Sequence, residues 1–227
     1  EHIASTRKRL VKRIARYKQR KRATNSNLTT ENKKIPKNIL DRFDIVVSRY
    51  NEDLSWLSDL SKRSIVYNKG NTDIPIQNFK HTISLDNVGR ESHTFLYHII
   101  KNYNSLNDFT FFTQGNISDH LSLGVTLPLT EYFQEKSLIM ACATRCDIYQ
   151  IWGRLNFFEI GEVWKDDFLS GNIKATNLTY GKFWDNFIKK NKPKNPQRKF
   201  CWCPGAFFTV SRERIMENSL SYYEDLI

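Results

Sequence analysis

The stretch Phe109–His120, "FTFFTQGNISDH", decides how the rest of the chain is read. Its first five residues are aromatic or β-branched and predict a buried strand. Polarity then flips: Gln114, Gly115, Asn116, Ser118, Asp119 and His120 crowd into seven positions. In an open α/β sheet the carboxyl end of a strand is where ligands sit. An amide, a glycine, a carboxylate and an imidazole at such an end therefore raise the question of which ligand.

Working outward, the strand-then-polar pattern recurs. "DIVVSR", Asp44–Arg49, is a short apolar run followed by Tyr50, Asn51, Glu52 and Asp53. Leu54, Leu57 and Leu60 stand three apart and predict a short helix. "SIVYNKG" is a second strand with a polar end, Tyr67-Asn68-Lys69, closed by Gly70. A loop carrying Pro75 follows. "NVGRESHTFLYHIIKNY" opens with Asn87 and Gly89 and becomes a helix with an apolar face of Phe95, Leu96, Ile99, Ile100 and Tyr103. Glu91 lies in its first turn, where the helix dipole favours an acid. Strand, helix, strand, loop, helix, strand is the order of a mostly parallel central sheet with helices on both faces, hence an α/β domain. Further along, residues 129–141 and 179–191 read as helices and Gly205–Val210 as a strand. A last helix is capped by Ser211, with Arg214 at its third position.

Charge divides the chain at about residue 38. Residues 1–38 hold 13 of the 35 Lys/Arg but only 2 of the 24 acids, leaving 22 of each sign in the remainder. The excess of +11 is thus confined to an N-terminal arm, 1–38, and the domain at 39–227 is neutral. The domain has no bulk reason to seek polyanions, which argues against nucleic acid as its partner. In "STRKRLVKRIARYKQRKR", Leu10, Ile14 and Tyr17 make a thin apolar stripe on a basic helix. That stripe suits a solvated stem or a helix docked on a membrane surface or partner. No run of 18 apolar residues is present. The expected location is the cytoplasm, or the secretory lumen if an upstream anchor precedes the arm. Cys142, Cys146, Cys201 and Cys203 fit zinc ligand spacings poorly and read as core thiols or, in a lumen, as disulfide partners.

The two common phosphate-loop motifs, Gly-x-Gly-x-x-Gly and Gly-x4-Gly-Lys-Ser/Thr, are missing. So are the Gly-x-Ser-x-Gly elbow and His-Glu-x-x-His. What remains is a set of strand ends: Ser48 to Glu52, Tyr67 to Lys69, Asn87 to Arg90, and Gln114 to Asn116. In a parallel sheet these ends converge. Together they supply aromatics to stack, amides to read a base or sugar, and three cations, Arg49, Lys69 and Arg90, for a diphosphate. The helix start at Arg90 adds backbone N–H donors. Each feature also has an ordinary structural reading, as a turn, a helix-start ion pair or a first-turn acid.

"VVSRYNEDLSWL", "IVYNKG", "NVGRESHTFLYHIIKNY", "FTFFTQGNISDH" and "GAFFTVSRERI" resemble, in this order, the blocks of a glycosyltransferase-like family found in fungi, bacteria and large DNA viruses. The resemblance spans roughly residues 43–216. It implies a GT-A-like fold and a nucleotide-sugar donor, usually a UDP-sugar, with a glycan or glycoprotein acceptor. "NISDHL" and "PGAFFTVSRERI" are also similar to blocks of branching N-acetylglucosaminyltransferases and peptide O-xylosyltransferases. Those enzymes lack a metal-binding Asp-x-Asp and neutralise the diphosphate with basic side chains. Asn116 stands here where relatives often carry Asp, which leaves dependence on Mn²⁺ or Mg²⁺ open, with Asp119 and His120 as the ligand pair. The reading assigns the catalytic base to Asp119, with Glu224 and Asp225 as rivals. Ser48, Arg49, Tyr50, Asn51, Glu52, Tyr67, Asn68, Lys69, Asn87, Gly89, Arg90, Gln114, Gly115 and Asn116 are assigned to the donor. His120, Trp202, Gly205, Ala206 and Phe207 are assigned to the acceptor side. The contrasting expectation is a non-catalytic binding module with a docking arm.

Overall fold

The computed structural model describes residues 35–74, 79–117, 129–133, 140–141, 145–148, 170, 179–188, 199–202 and 206–227. The basic arm lies outside these residues. The chain forms two compact units, one of Glu1–Ala143 with Cys203–Ile227 and one of Thr144–Trp202.

The first unit is built on β1 (Phe43–Arg49), β2 (Ser64–Asn68), β3 (His81–Ser84) and β4 (Phe109–Gln114). β5 (Met140–Ala141) also belongs to it. In the second unit β6 (Arg145–Ile148) pairs antiparallel with β7 (Lys199–Trp202), setting Cys146 opposite Cys201 in the backbone register. A short helix at Tyr180–Phe183 continues as a π-helix through Ile188, within the segment expected to be helical. β8 (Phe208–Ser211) returns to the first unit and completes a six-stranded sheet of order β3-β2-β1-β4-β8-β5. β3, β2, β1 and β4 are mutually parallel; β8 runs antiparallel to both its neighbours. The fold is α/β with a mostly parallel sheet.

Strand alternation sorts the core into two layers. Phe43, Ile45 and Val47 of β1, with Phe109 and Phe111 of β4, face the 3₁₀ helix Ser55–Arg63 through Leu57 and Leu60. A second 3₁₀ helix, Leu129–Phe133, adds Tyr132 and Phe133 to the same layer. Val46, Tyr67 and Phe112 face the other way, against Phe95 and Ile99 of the long helix Arg90–Asn102. Each such buried side chain stabilises the helix on the sheet by about 1.5–3 kcal/mol.

Four expectations shift. Residues 129–141 do not form one helix. The 3₁₀ turn ends at Phe133, because two adjacent buried aromatics suit a short sheet-facing turn, and Met140–Ala141 pair with β8. The last strand begins at Phe208 rather than Gly205. β3 gives no signal in the sequence, because only Ile83 of its four residues turns toward the core. β6 and β7 were not foreseen either. The Ser211 cap is as expected: its side chain accepts from the Arg214 N–H, and Arg212–Met216 follow as helix.

Candidate functional site

The order β3-β2-β1-β4 contains a reversal. From β1 the chain steps outward to β2 and β3, then crosses back over the sheet through the long helix to enter at β4, on the far side of β1. In open α/β sheets a ligand crevice forms outside the carboxyl ends of the strands at such a reversal. Here the carboxyl ends of β1 and β4 are level, with Ser48 beside Gln114, and β2 adds Asn68 beside Arg49. Two backbone bonds carry the pairing past the strands: Gly115 N–H to the Ser48 carbonyl at 2.8 Å and Lys69 N–H to the Arg49 carbonyl at 2.9 Å.

The rim above these ends is tied together by Arg49, which is only 3% exposed. Its Nε donates to the Glu52 carbonyl at 3.0 Å and its Nη1 to Asn68 Oδ1 at 2.7 Å. Nη1 also donates to the Thr72 carbonyl, and Nη2 to Thr72 Oγ1. The loops after β1 and β2 are thus fastened to one guanidinium, whose planar fork suits several acceptors at once. Asn51, with φ 65°, turns its Oδ1 back to accept from the N–H and hydroxyl of Thr72. Thr72 had no signal in the sequence; a single threonine in a polar loop is unremarkable until Arg49 is seen to need it.

Lys69 performs the same task toward the helix. It is buried, and its Nζ donates to the carbonyls of Val88 and Arg90, both at 2.6 Å. Burial lowers its pKa, while the nearby Glu91 charge opposes that change. The chain enters the helix through Gly89 at φ 59° and Arg90 at φ 49°. A Cβ on Gly89 would lie 2.6 Å from the Cβ of His93, so only glycine fits. Gly89 occupies the N-cap without a side-chain cap bond. Glycine at this position has no side chain with which to cap the first-turn N–H groups. Arg90 is exposed beside them. His93, one turn on, has its pKa lowered, first by burial and then by Lys69.

Glu52 is the rim's carboxylate. Its side chain lies over Gly115, where a Cβ would fall 2.7 Å from Glu52 Oε2. That oxygen accepts from the Tyr50 N–H. Burial raises the Glu52 pKa, the Tyr50 bond lowers it, and the charge of Glu91 adds a smaller upward push. Gly115 is fixed in turn by Trp56, whose indole N–H donates to its carbonyl at 2.9 Å. Tyr50 (51% exposed) and Val88 (52%) present apolar surface on the same rim.

The structure therefore brings together Arg49, Tyr50, Asn51, Glu52, Asn68, Lys69, Gly89, Arg90, Gln114 and Gly115, and Asn87 adjoins Val88 on this rim. It divides their work differently from the sequence reading, because Arg49 and Lys69 hold the loops. Gln114 Nε2 donates to the Asn116 carbonyl at 2.5 Å, shaping the turn. Ser48 and Tyr67 face the helix layer instead: Ser48 Oγ bonds Thr94 Oγ1 at 2.9 Å, and the Tyr67 hydroxyl bonds His98 Nδ1 at 3.0 Å. Burial pushes the Tyr67 hydroxyl up to about 12. Ala206 and Phe207 approach the carboxyl end of β4, since Phe208 pairs with Phe112, but Phe207 is core. Glu224 ends the last helix, Leu220–Glu224, and Asp225 caps it; both are exposed. Its Tyr223 packs on Tyr103, at the opposite end of the long helix, about 20 Å from Arg90 by helical rise. Asp119, His120 and Gly205 lie outside the described residues, as does the side chain of Trp202. Among the described residues no three His, Cys, Asp or Glu side chains group to hold a metal ion. None of the described helices is long and apolar enough to cross a membrane.

Residues 45–125 match the model of a family described as a protein of unknown function, DUF3431. The match begins inside β1 and ends beyond β4, so it includes all four segments of the rim. No curated protein matches the chain. No solved structure matches it.

Proposed function

We propose that the protein is a glycosyltransferase that moves a sugar from a nucleotide-sugar, a UDP-sugar, to a glycan or glycoprotein acceptor. One observation carries this reading: the strand order reverses between β1 and β4, and the polar segments after these strands and β2 converge with the start of the long helix at that reversal. A crevice of this kind suits a nucleoside joined to a diphosphate. Tyr50 offers a face for the base. The first-turn N–H groups of the long helix and the Arg90 guanidinium meet the diphosphate, where negative charge builds as the sugar departs. Glu91, in the same turn, limits how much anion this end tolerates. Asp119, five residues beyond Gln114 in sequence, remains the candidate base toward the acceptor hydroxyl, which must lie within hydrogen-bond reach of it. The basic arm would dock the enzyme on a membrane or acidic partner.

A screen of nucleotide-sugars for slow donor hydrolysis tests the reading, with thermal shift by UDP, GDP and inorganic phosphate alongside. Release of UDP from one UDP-sugar, with a shift selective for UDP, supports it. No shift and no hydrolysis with any nucleotide would overturn it. The second reading, a non-catalytic binding module, is favoured by one feature: Arg49 and Lys69 are already engaged within the protein. Nucleotide binding without turnover of any donor would establish that alternative.

A further inference from the structure

Glu52 is an anomaly on this rim. It is a half-buried carboxylate with no ion-pair partner among the described residues. Arg49, its neighbour, directs its guanidinium to the Glu52 carbonyl, Asn68 and Thr72 rather than to the carboxylate. Holding an ionised carboxyl partly out of water is unfavourable, and burial raises its pKa by more than the Tyr50 N–H, its own N–H and the nearby Arg49 charge lower it. Nothing in the core requires an acid here. Yet the position is built: Gly115 leaves room for the carboxylate, Arg49 fixes its backbone, and the Tyr50 N–H holds one oxygen.

An ionised carboxylate only accepts hydrogen bonds, so what it would take from a ligand is a donor. The Tyr50 N–H that holds it belongs to a residue that is itself 51% exposed, so an aromatic and a hydroxyl acceptor come from one rim loop, two residues apart. A nucleoside has the same order of parts: a flat base, then a ribose with two adjacent hydroxyl donors. We infer that Glu52 accepts the ribose hydroxyls of the bound nucleotide and so selects ribonucleotides over deoxyribonucleotides. This rests on the reading that the crevice holds a nucleoside diphosphate, and goes further by naming the sugar it reads and the residue that reads it.

Calorimetry with UDP and 2′-deoxy-UDP on the full chain, wild type and Glu52→Gln, tests it. Wild type is expected to prefer UDP by about tenfold, the scale of one hydrogen bond to a charged group. Glu52→Gln should lower UDP affinity by about as much and bring the two ligands to within about twofold. Glu52→Asp, which keeps the charge and shortens the reach, should fall between them. Equal affinity of wild type for UDP and 2′-deoxy-UDP overturns the inference and leaves the nucleotide reading standing. So does undiminished discrimination in Glu52→Gln. A wild type that binds neither ligand, nor any other nucleotide, overturns both.

Discussion

β1 begins beside one arginine and ends on another, and the two do opposite things. Arg42, at the amino end, is 43% exposed along its side chain; it pairs with Asp108 at 3.0 Å and lies 5.2 Å from the centre of the Phe109 ring. Arg212 also reaches toward Asp108, at 3.8 Å. This is a solvated network whose strength is screened by water and salt. Arg49, at the carboxyl end, is buried, and every partner it has is a carbonyl, an amide or a hydroxyl. At one edge an arginine decorates the surface; at the other it is the frame on which two loops are built. A protein invests that much buried polar structure at one edge only when the loops must hold a shape.

The largest expected difference follows directly. Arg49→Ala removes a buried side chain and all its hydrogen bonds, to half-buried Glu52 and Asn68 and to exposed Thr72, and should cost about 3 kcal/mol, lowering Tm by roughly 10 °C. Arg42→Ala should cost at most about 1 kcal/mol, less in high salt. Equal losses in the two variants, measured by denaturant titration, would erase the contrast between the edges.

Acid should separate the two ends as well. His98 is 1% exposed beneath the long helix; its Nδ1 is hydrogen-bonded to the Tyr67 hydroxyl, and its Nε2 finds no partner among the described residues. Burial holds its pKa down at about 4, against 6.5 for an ordinary histidine. The folded state keeps the ring neutral while the unfolded state takes up the proton. This stability is therefore whole above pH 6.5 and lost as pH falls toward 4, by about 3 kcal/mol over that window. In His98→Gln that slope should flatten. Glu52 has the opposite sign: its pKa is raised on folding, so its ionised form costs stability at neutral pH and the cost fades as pH drops. Glu52→Gln should accordingly be more stable than wild type at pH 7 while binding UDP less well. A variant both less stable and weaker in binding would make Glu52 an ordinary structural acid.

Gly115→Ala is a smaller probe. Its new methyl meets Glu52 rather than backbone, so the side chain can give way at about 1–2 kcal/mol, with nucleotide affinity falling more than stability. The smallest effect belongs to the far edge: Glu224→Gln and Asp225→Asn should leave donor hydrolysis within about twofold of wild type, as exposed changes away from a site do. A collapse of activity in either would move the chemistry to the other end of the long helix.

The core of the fold was legible because the chain spells it in apolar runs. "DIVV", "SIVY" and "FTFF" are buried on both faces, and such runs announce parallel strands. β3 was illegible for the converse reason: "HTIS" at a sheet edge has little to bury. Convergence of the polar ends was legible too, since it follows from parallel order. What sequence could not supply was who satisfies whom. Arg49 and Lys69 read as ligand cations because a basic residue at a strand end looks the same whether it faces a phosphate or a carbonyl. Only the positions of Thr72 and Val88 distinguish the two. Tyr67 and Ser48 face the helix because the pleat turns alternate residues of a strand tip that way, a difference of one position that a polar strand end does not reveal.

Hydrogen exchange with and without UDP tests the central claim most directly. A nucleotide seated at the reversal between β1 and β4 should slow exchange at residues 48–53, 87–93 and 114–117, while residues 98–108 and 212–224 exchange as before. Protection confined to those latter segments, or absent everywhere at saturating UDP, would contradict it.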